Sequence, residues 1–204
     1  MAPNPDQTPK APTMFYRPSQ GHGLPHSPFN AIVAPRPIGW ISTRGPQGDN
    51  LAPYSFFNAV AYTPPQVIFA GDLKDSLRNI QATGVFATNV VSEPLWHLMS
   101  ETSAHLPHGT DEFTHAGVDR SECTTINCPR VTLSPATLEC RLQQIITLEG
   151  GVDFLIIGTV IGVHIRDEYL TDGTFDLTKV RPMARLGYKD YAVITETLPL
   201  ERPA

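Results

Sequence analysis

The sequence predicts a mainly β domain: antiparallel strands in a closed or split barrel, with small helices at its side. Dense β-branched runs recur along the chain, whereas helical spacing is confined to two short stretches. Strands of this kind leave exposed edges unless the sheet curls on itself. A chain of 204 residues can bury a sizeable core and is most simply one such domain.

Residues 1–26 stand outside that pattern. They are rich in Pro, Ser, Gln and His, with five prolines before Gly21, and hold too few apolar residues to fold alone. The expectation is a flexible arm over 1–26, or a strap on another surface, followed by the domain over 27–204.

Within the domain, Ile38 to Thr43 reads as a strand closed by the turn Arg44-Gly45-Pro46, and a second strand starts near Leu51. Ser55 to Ala59 sets a hydroxyl, two aromatics and an amide side by side. Thr63-Pro64-Pro65 follows and should not continue a ladder, since proline has no N–H, which would leave backbone groups free for a ligand. Gln66 to Ala70 reads as a buried strand. Leu77, Ile80 and Gln81 then carry helical spacing from Lys74-Asp75-Ser76 up to Gly84 as the stop.

The start of that helix has two readings. A lysine and a hydroxyl beside unpaired N–H groups suit a phosphate. Equally, Asp75 or Ser76 simply caps the helix.

Further along, Val85 to Val91 is a strand, and Pro94 to about Thr102 is helical with proline in the first turn. Ala136 to Leu148 and Phe154 to Ile165 pair through a Gly150-Gly151 turn, and the second of them is long enough to bend at Gly158 or Gly162. Between these blocks, residues 103–118 crowd His105, His108, Asp111, Glu112 and His115 into a loop. No helical or knuckle spacing orders them as ligands, so no metal is expected. They read either as a lid whose histidines His105, His108 and His115 meet a substrate, or as a plain solvated loop.

Composition excludes other classes. A net charge of −5 and the lack of any basic run argue against a nucleic-acid surface. No apolar run reaches the roughly 18 to 20 residues that span a bilayer, and the N-terminus lacks an apolar signal region. A soluble cytoplasmic protein is expected. Cys123, Cys128 and Cys140 match no zinc or redox spacing, so reduced thiols are the economical reading.

The ordered set PRPIGWIST, NLAPYSFFNAV, TPP and KDSLRNI, joined later by PRVTLSPATLEC and ARLGYKDYAVI, resembles the flavin reductase-like family of FMN-binding split barrels. The resemblance runs from about Phe29 to Ile194 and rests on the order of the motifs. It implies a six-stranded antiparallel split β-barrel of Greek-key type that forms a homodimer and binds FMN near the interface. By the same resemblance Ser55, Phe56, Phe57, Asn58 and Ala59 would line the flavin ring and ribityl chain. Lys74, Asp75, Ser76 and Asn79 would lie at the phosphate. Arg36 and Trp40 would pack near the cofactor, and Arg185 with Tyr188 would close over it. Trp40 also reads as an ordinary core residue, as a lone tryptophan on an apolar strand usually is.

Flavin carries the redox capacity itself, so the protein need only hold the ring, tune it and leave one face open for a hydride donor. No nucleophile elbow, Walker loop or GxGxxG is present, and none is needed. The leading expectation is an NAD(P)H-dependent flavin reductase that passes hydride to FMN and supplies a partner monooxygenase. Two other readings suit the same residues: an FMN-bound oxygenase or other oxidoreductase acting directly on an organic substrate, and a non-catalytic flavin electron carrier.

Overall fold

A computed structural model describes residues 13–203. Of the expected arm, residues 1–12 lie outside the described residues. Residues 13–26 run over the surface, almost wholly exposed.

In chain order, α1 (Phe29–Ile32) and β1 (Arg36–Pro37) precede the hairpin of β2 (Gly39–Gly45) and β3 (Gly48–Tyr54). After a bend at Ser55-Phe56 come β4 (Phe57–Tyr62) and β5 (Pro65–Asp72), then α2 (Asp75–Thr83), β6 (Val85–Val90), α3 (Trp96–Glu101) and α4 (Glu112–Ala116). The rest is β7 (Arg120–Glu122), β8 (Pro129–Val131), β9 (Ala136–Thr147), β10 (Asp153–Ile165), β11 (Leu170–Thr171), β12 (Thr174–Phe175), α5 (Leu177–Val180), β13 (Met183–Arg185) and β14 (Tyr191–Val193).

The main sheet has seven segments in the order β3-β2-β6-β9-β10-β5-β4, all antiparallel. Its two edges, β3 and β4, are consecutive in sequence and separated only by the bend. The chain itself therefore closes the ring, and counting the bent segment as one strand leaves the six of a split barrel. From β5 the chain crosses through α2 and returns as β6 beside β2, so the first four barrel strands follow the 4-1-2-3 order of a Greek key.

Two apolar clusters fill the interior. Phe69, Phe86, Ile80, Leu77 and Ile156 form one inside the barrel, with α2 packed against it, and Trp40, Leu51, Met99 and Phe113 anchor the other beneath α3 and α4. β10 bends at two bulges, one between Ile157 and Gly158 and one between Val160 and Gly162. Gly158 is required by the barrel's inner packing, since a Cβ there would stand 2.4 Å from the Phe86 ring. Asn89 cross-links the strands with every side-chain group satisfied. Its amide donates to the Trp40 carbonyl (2.8 Å) and Ser42 Oγ (3.1 Å) and accepts from Val131 N and Thr137 Oγ1 at 2.9 Å each.

Three expectations are corrected. Thr63-Pro64 forms the tight turn of the β4–β5 hairpin and Pro65 opens β5 opposite Tyr62, so the backbone around these prolines is used by the ladder. A proline at the first residue of a strand costs the ladder nothing when its nitrogen faces away. The stretch 103–118 is not all loop, because α4 occupies its second half. Asp111 caps that helix, accepting from Thr114 N at 3.3 Å, and Gly117 ends it in the left-handed region (φ +66°). Helix also appears at α1 and α5, each too short to carry a periodic signal.

Candidate functional site

A cavity of about 330 Å³ opens where β3, the start of α2 and the segment Thr102–Leu106 meet. β3 contributes Asn50, Ala52, Pro53 and Tyr54, α2 and its N-cap contribute Lys74, Asp75, Ser76 and Arg78, and the far wall holds His105, His108 and Glu112. The α2 start is set by an extended Lys74 whose side chain makes no cap bond, so this nine-residue helix begins at the cavity rim without a side-chain cap. Lys74 is exposed and pairs with Asp72 at 3.2 Å.

Behind this rim runs a buried chain of hydrogen bonds. Ser76 Oγ donates to Asn50 Oδ1 (2.6 Å), and Asn50 Nδ2 and Leu51 N donate to Glu112 Oε2 at 2.8 and 3.1 Å. Burial raises the Glu112 carboxyl above its ordinary value against the pull of those bonds. Burial likewise pushes the Tyr54 hydroxyl up to about 12, so it remains protonated beside the cavity at neutral pH. Asp75 takes the other side, accepting from Gly109 N at 2.9 Å and pairing with the His108 ring, which ties the loop to the helix start.

The residues expected at a phosphate thus divide. Lys74, Asp75 and Ser76 line the cavity, with the Ser76 hydroxyl already engaged by Asn50. Asn79 lies one turn deeper, donating to Thr43 Oγ1 at 3.1 Å and packed so closely on Gly45 that a Cβ there would meet its Oδ1 at 1.9 Å. His105 and His108 line the cavity wall, while His115 sits exposed on α4 away from it.

The other expected residues gather beyond Tyr54. Ser55 and Phe56 make the bend, with Phe56 half-exposed, and Phe57, Asn58 and Ala59 enter the β4–β5 ladder. Arg36 is buried, its guanidinium donating to the carbonyls of Asn30, Val33 and Leu186 and lying 5.9 Å from the Phe56 ring centre. Its Nε is the buried side-chain polar atom left without a partner among the described residues. Arg185 pairs in register with Arg36, donates to the Tyr188 carbonyl at 2.6 Å and stacks on Tyr191 at 4.4 Å, and Tyr188 is half-exposed. Trp40 is wholly buried. Its Nε1 donates to Thr102 Oγ1 at 2.9 Å, so it supports the cavity wall from behind.

Sequence reading singled out neither Asn50 nor Arg78, and it weighed Glu112 only as part of the 103–118 cluster, not as a partner of β3. Asn50 and Glu112 are 62 residues apart, and nothing local marks two polar residues as partners before the barrel brings them together. Among the described residues no three His, Cys, Asp or Glu side chains gather as a metal site.

A concave cradle, an uncapped helix start, two nearby cations and the backbone edge of β3 together suit a phosphate-bearing ring cofactor on a split barrel. The flavin reductase-like domain model matches residues 33–184, and the chain belongs to that family. A Deinococcus radiodurans protein is 37% identical over 155 residues, 71% of this chain and 67% of its own length. Two solved structures share the fold closely. The Pseudomonas fluorescens 2-nitrobenzoate 2-nitroreductase aligns with TM-score 0.80 and 30% identity over 86% of this chain and 88% of its own. Nitrilotriacetate monooxygenase component B of Bacillus cereus aligns with TM-score 0.81 and 28% identity over 84% of this chain and 90% of its own.

Proposed function

We propose that this protein is an NAD(P)H-dependent flavin reductase that holds FMN in the cavity between β3 and α2 and works as a homodimer. The observation that carries the reading is the uncapped start of α2, which opens into a cavity flanked by Lys74 and Arg78. Lys74 and the helix-start N–H groups would hold the phosphate, and the β3 backbone with the Ser55-Phe56 bend would lie along the ring. FMN would supply the two-electron chemistry at its ring, accepting hydride from a nicotinamide. The chain's own task is to orient the ring, keep Tyr54 as a neutral donor and exclude water with the Thr102–His108 wall. Similarity to a monooxygenase component supports release of reducing equivalents to a partner oxygenase.

The test is the visible spectrum of the purified protein loaded with FMN, followed anaerobically after adding NADH or NADPH. Rapid bleaching of the flavin band supports the reductase and names the donor. Flavin that binds but stays oxidised removes the hydride step, and failure to bind FMN removes the cradle.

A second reading is favoured by the similarity to a nitroreductase together with His105 on the cavity wall. Here the flavin stays bound and an aromatic acid is reduced directly. Turnover of a nitrobenzoate by the holoprotein and NAD(P)H, with no second protein, separates the two.

A further inference from the structure

Away from the cavity, the β7–β8 hairpin carries two of the three cysteines. Its register sets Arg120 opposite Val131, Ser121 opposite Arg130 and Glu122 opposite Pro129, so the next facing position is Cys123 with Cys128. The ladder continues there, since Cys123 N donates to the Cys128 carbonyl at 3.0 Å. Facing residues of an antiparallel pair have Cα atoms roughly 4.5 to 5.5 Å apart, which lies inside the ~4.4 to 6.8 Å range that a disulfide bridges. Neither sulfur is bonded to another cysteine, and as facing residues of one ladder the two side chains leave the hairpin on the same face.

Their surroundings differ. Cys128 is wholly buried, its thiol donating to the Ser42 carbonyl at 3.2 Å, while Cys123 is only half-buried. Contact with Cys123, then burial, raises the Cys128 thiol far above its ordinary value. Cys128 therefore keeps its proton at neutral pH, and Cys123 is the sulfur that solvent-borne reagents reach. Around the pair the loop is anchored from both sides. Thr124 N and Thr125 N donate to the buried Glu139 at 2.6 and 2.7 Å, and Arg44 Nη1 donates to Asn127 Oδ1 at 2.9 Å. These bonds anchor the loop that joins the two facing cysteine positions.

We infer that Cys123 and Cys128 form a peroxide-oxidisable dithiol, with Cys123 the site of attack and Cys128 the resolving thiol. The Cys123 sulfur attacks one oxygen of hydrogen peroxide. The O–O bond breaks, the leaving hydroxide takes a proton to become water, and Cys123 becomes a sulfenic acid. The Cys128 sulfur, losing its proton, then displaces hydroxide from Cys123, which leaves as a second water. Two thiols and one peroxide become one disulfide and two waters, the two electrons passing from sulfur to oxygen. The inference does not depend on the flavin reading.

The hairpin's own sequence makes the test direct, because trypsin releases Ser121–Arg130 with both cysteines and Val131–Arg141 with Cys140. The full-length protein is treated with hydrogen peroxide, denatured, alkylated and digested. The expected result is a Ser121–Arg130 peptide lighter by two hydrogens and unalkylated, one alkylated thiol remaining of three, and full recovery after dithiothreitol. Cys140→Ser keeps this behaviour and Cys128→Ser leaves Cys123 oxidised but unbridged. Three alkylated thiols after peroxide, Cys123 ending as sulfinic acid in the unsubstituted protein, or a bridge between two chains would each overturn it.

Discussion

At the scale of single residues, the site sets an exposed cation beside buried polar groups. Lys74 is the cation at the α2 start and holds only an exposed contact with Asp72. Lys74→Ala is therefore expected to weaken FMN roughly tenfold, about 1.4 kcal/mol, and riboflavin hardly at all, because only FMN brings a dianion. Equal losses in a fluorescence titration of both ligands would place the phosphate elsewhere. Ser76 differs, since its hydroxyl is buried and bonded to Asn50. Ser76→Ala leaves that amide oxygen unpaired and should cost about 1 to 3 kcal/mol of stability, read as a lower urea midpoint. Glu139 contributes to the acid limit. Burial alone would raise its carboxyl, but bonds from Thr125, Thr124 and His164 bring it down to about 2 from 4.5. A depressed carboxylate stabilises the fold above its unfolded value and loses that contribution as pH falls from 4.5 towards 2. Glu139→Gln should flatten the dependence of melting temperature on pH in that window.

Elements show how much was legible and why. The α2 boundaries follow from apolar spacing and a glycine stop, and Gly84 does end the helix in the left-handed region (φ +72°). The β9–β10 hairpin was readable from its glycine pair, and the bulges fall beside Gly158 and Gly162 as chain length demanded. α4 was missed although Asp111 and Gly117 mark its ends, because five residues give no periodic pattern against a background of polar loop. Gly158 offers an element-level test. Gly158→Ala drives a Cβ into the Phe86 ring and should destabilise by about 1 to 3 kcal/mol, with part of the loss regained in a Phe86→Leu background. Additive losses in that double-mutant cycle would mean that the two side chains do not meet.

For the whole molecule, the barrel closes because one strand bends at Ser55-Phe56 and serves both edges. Closure leaves apolar surface outside. β4 exposes Val60 and Tyr62, and alternate residues Ile161, Val163 and Ile165 stand exposed along the far end of β10. Alternation puts those three on one face of the strand, a stripe of the sort that subunit interfaces cover. Val163→Glu is expected to shift the proposed dimer towards monomer in light scattering, and a dimer indifferent to that charge would move the interface off this stripe.

By itself the amino-acid order determined the main-sheet strands other than β4, the principal helix, the β class and the family, because periodicity, turn residues and motif order are local properties of a chain. Which side chains share a cavity was decided only by the tertiary structure. Asn50, Ser76 and Glu112 form one hydrogen-bonded line, and Trp40 stands behind the wall through Thr102, because barrel closure brings distant segments into contact. Burial then raises the Glu112 carboxyl above its ordinary value. No spacing along the chain encodes either outcome, since both depend on what the third dimension excludes from water.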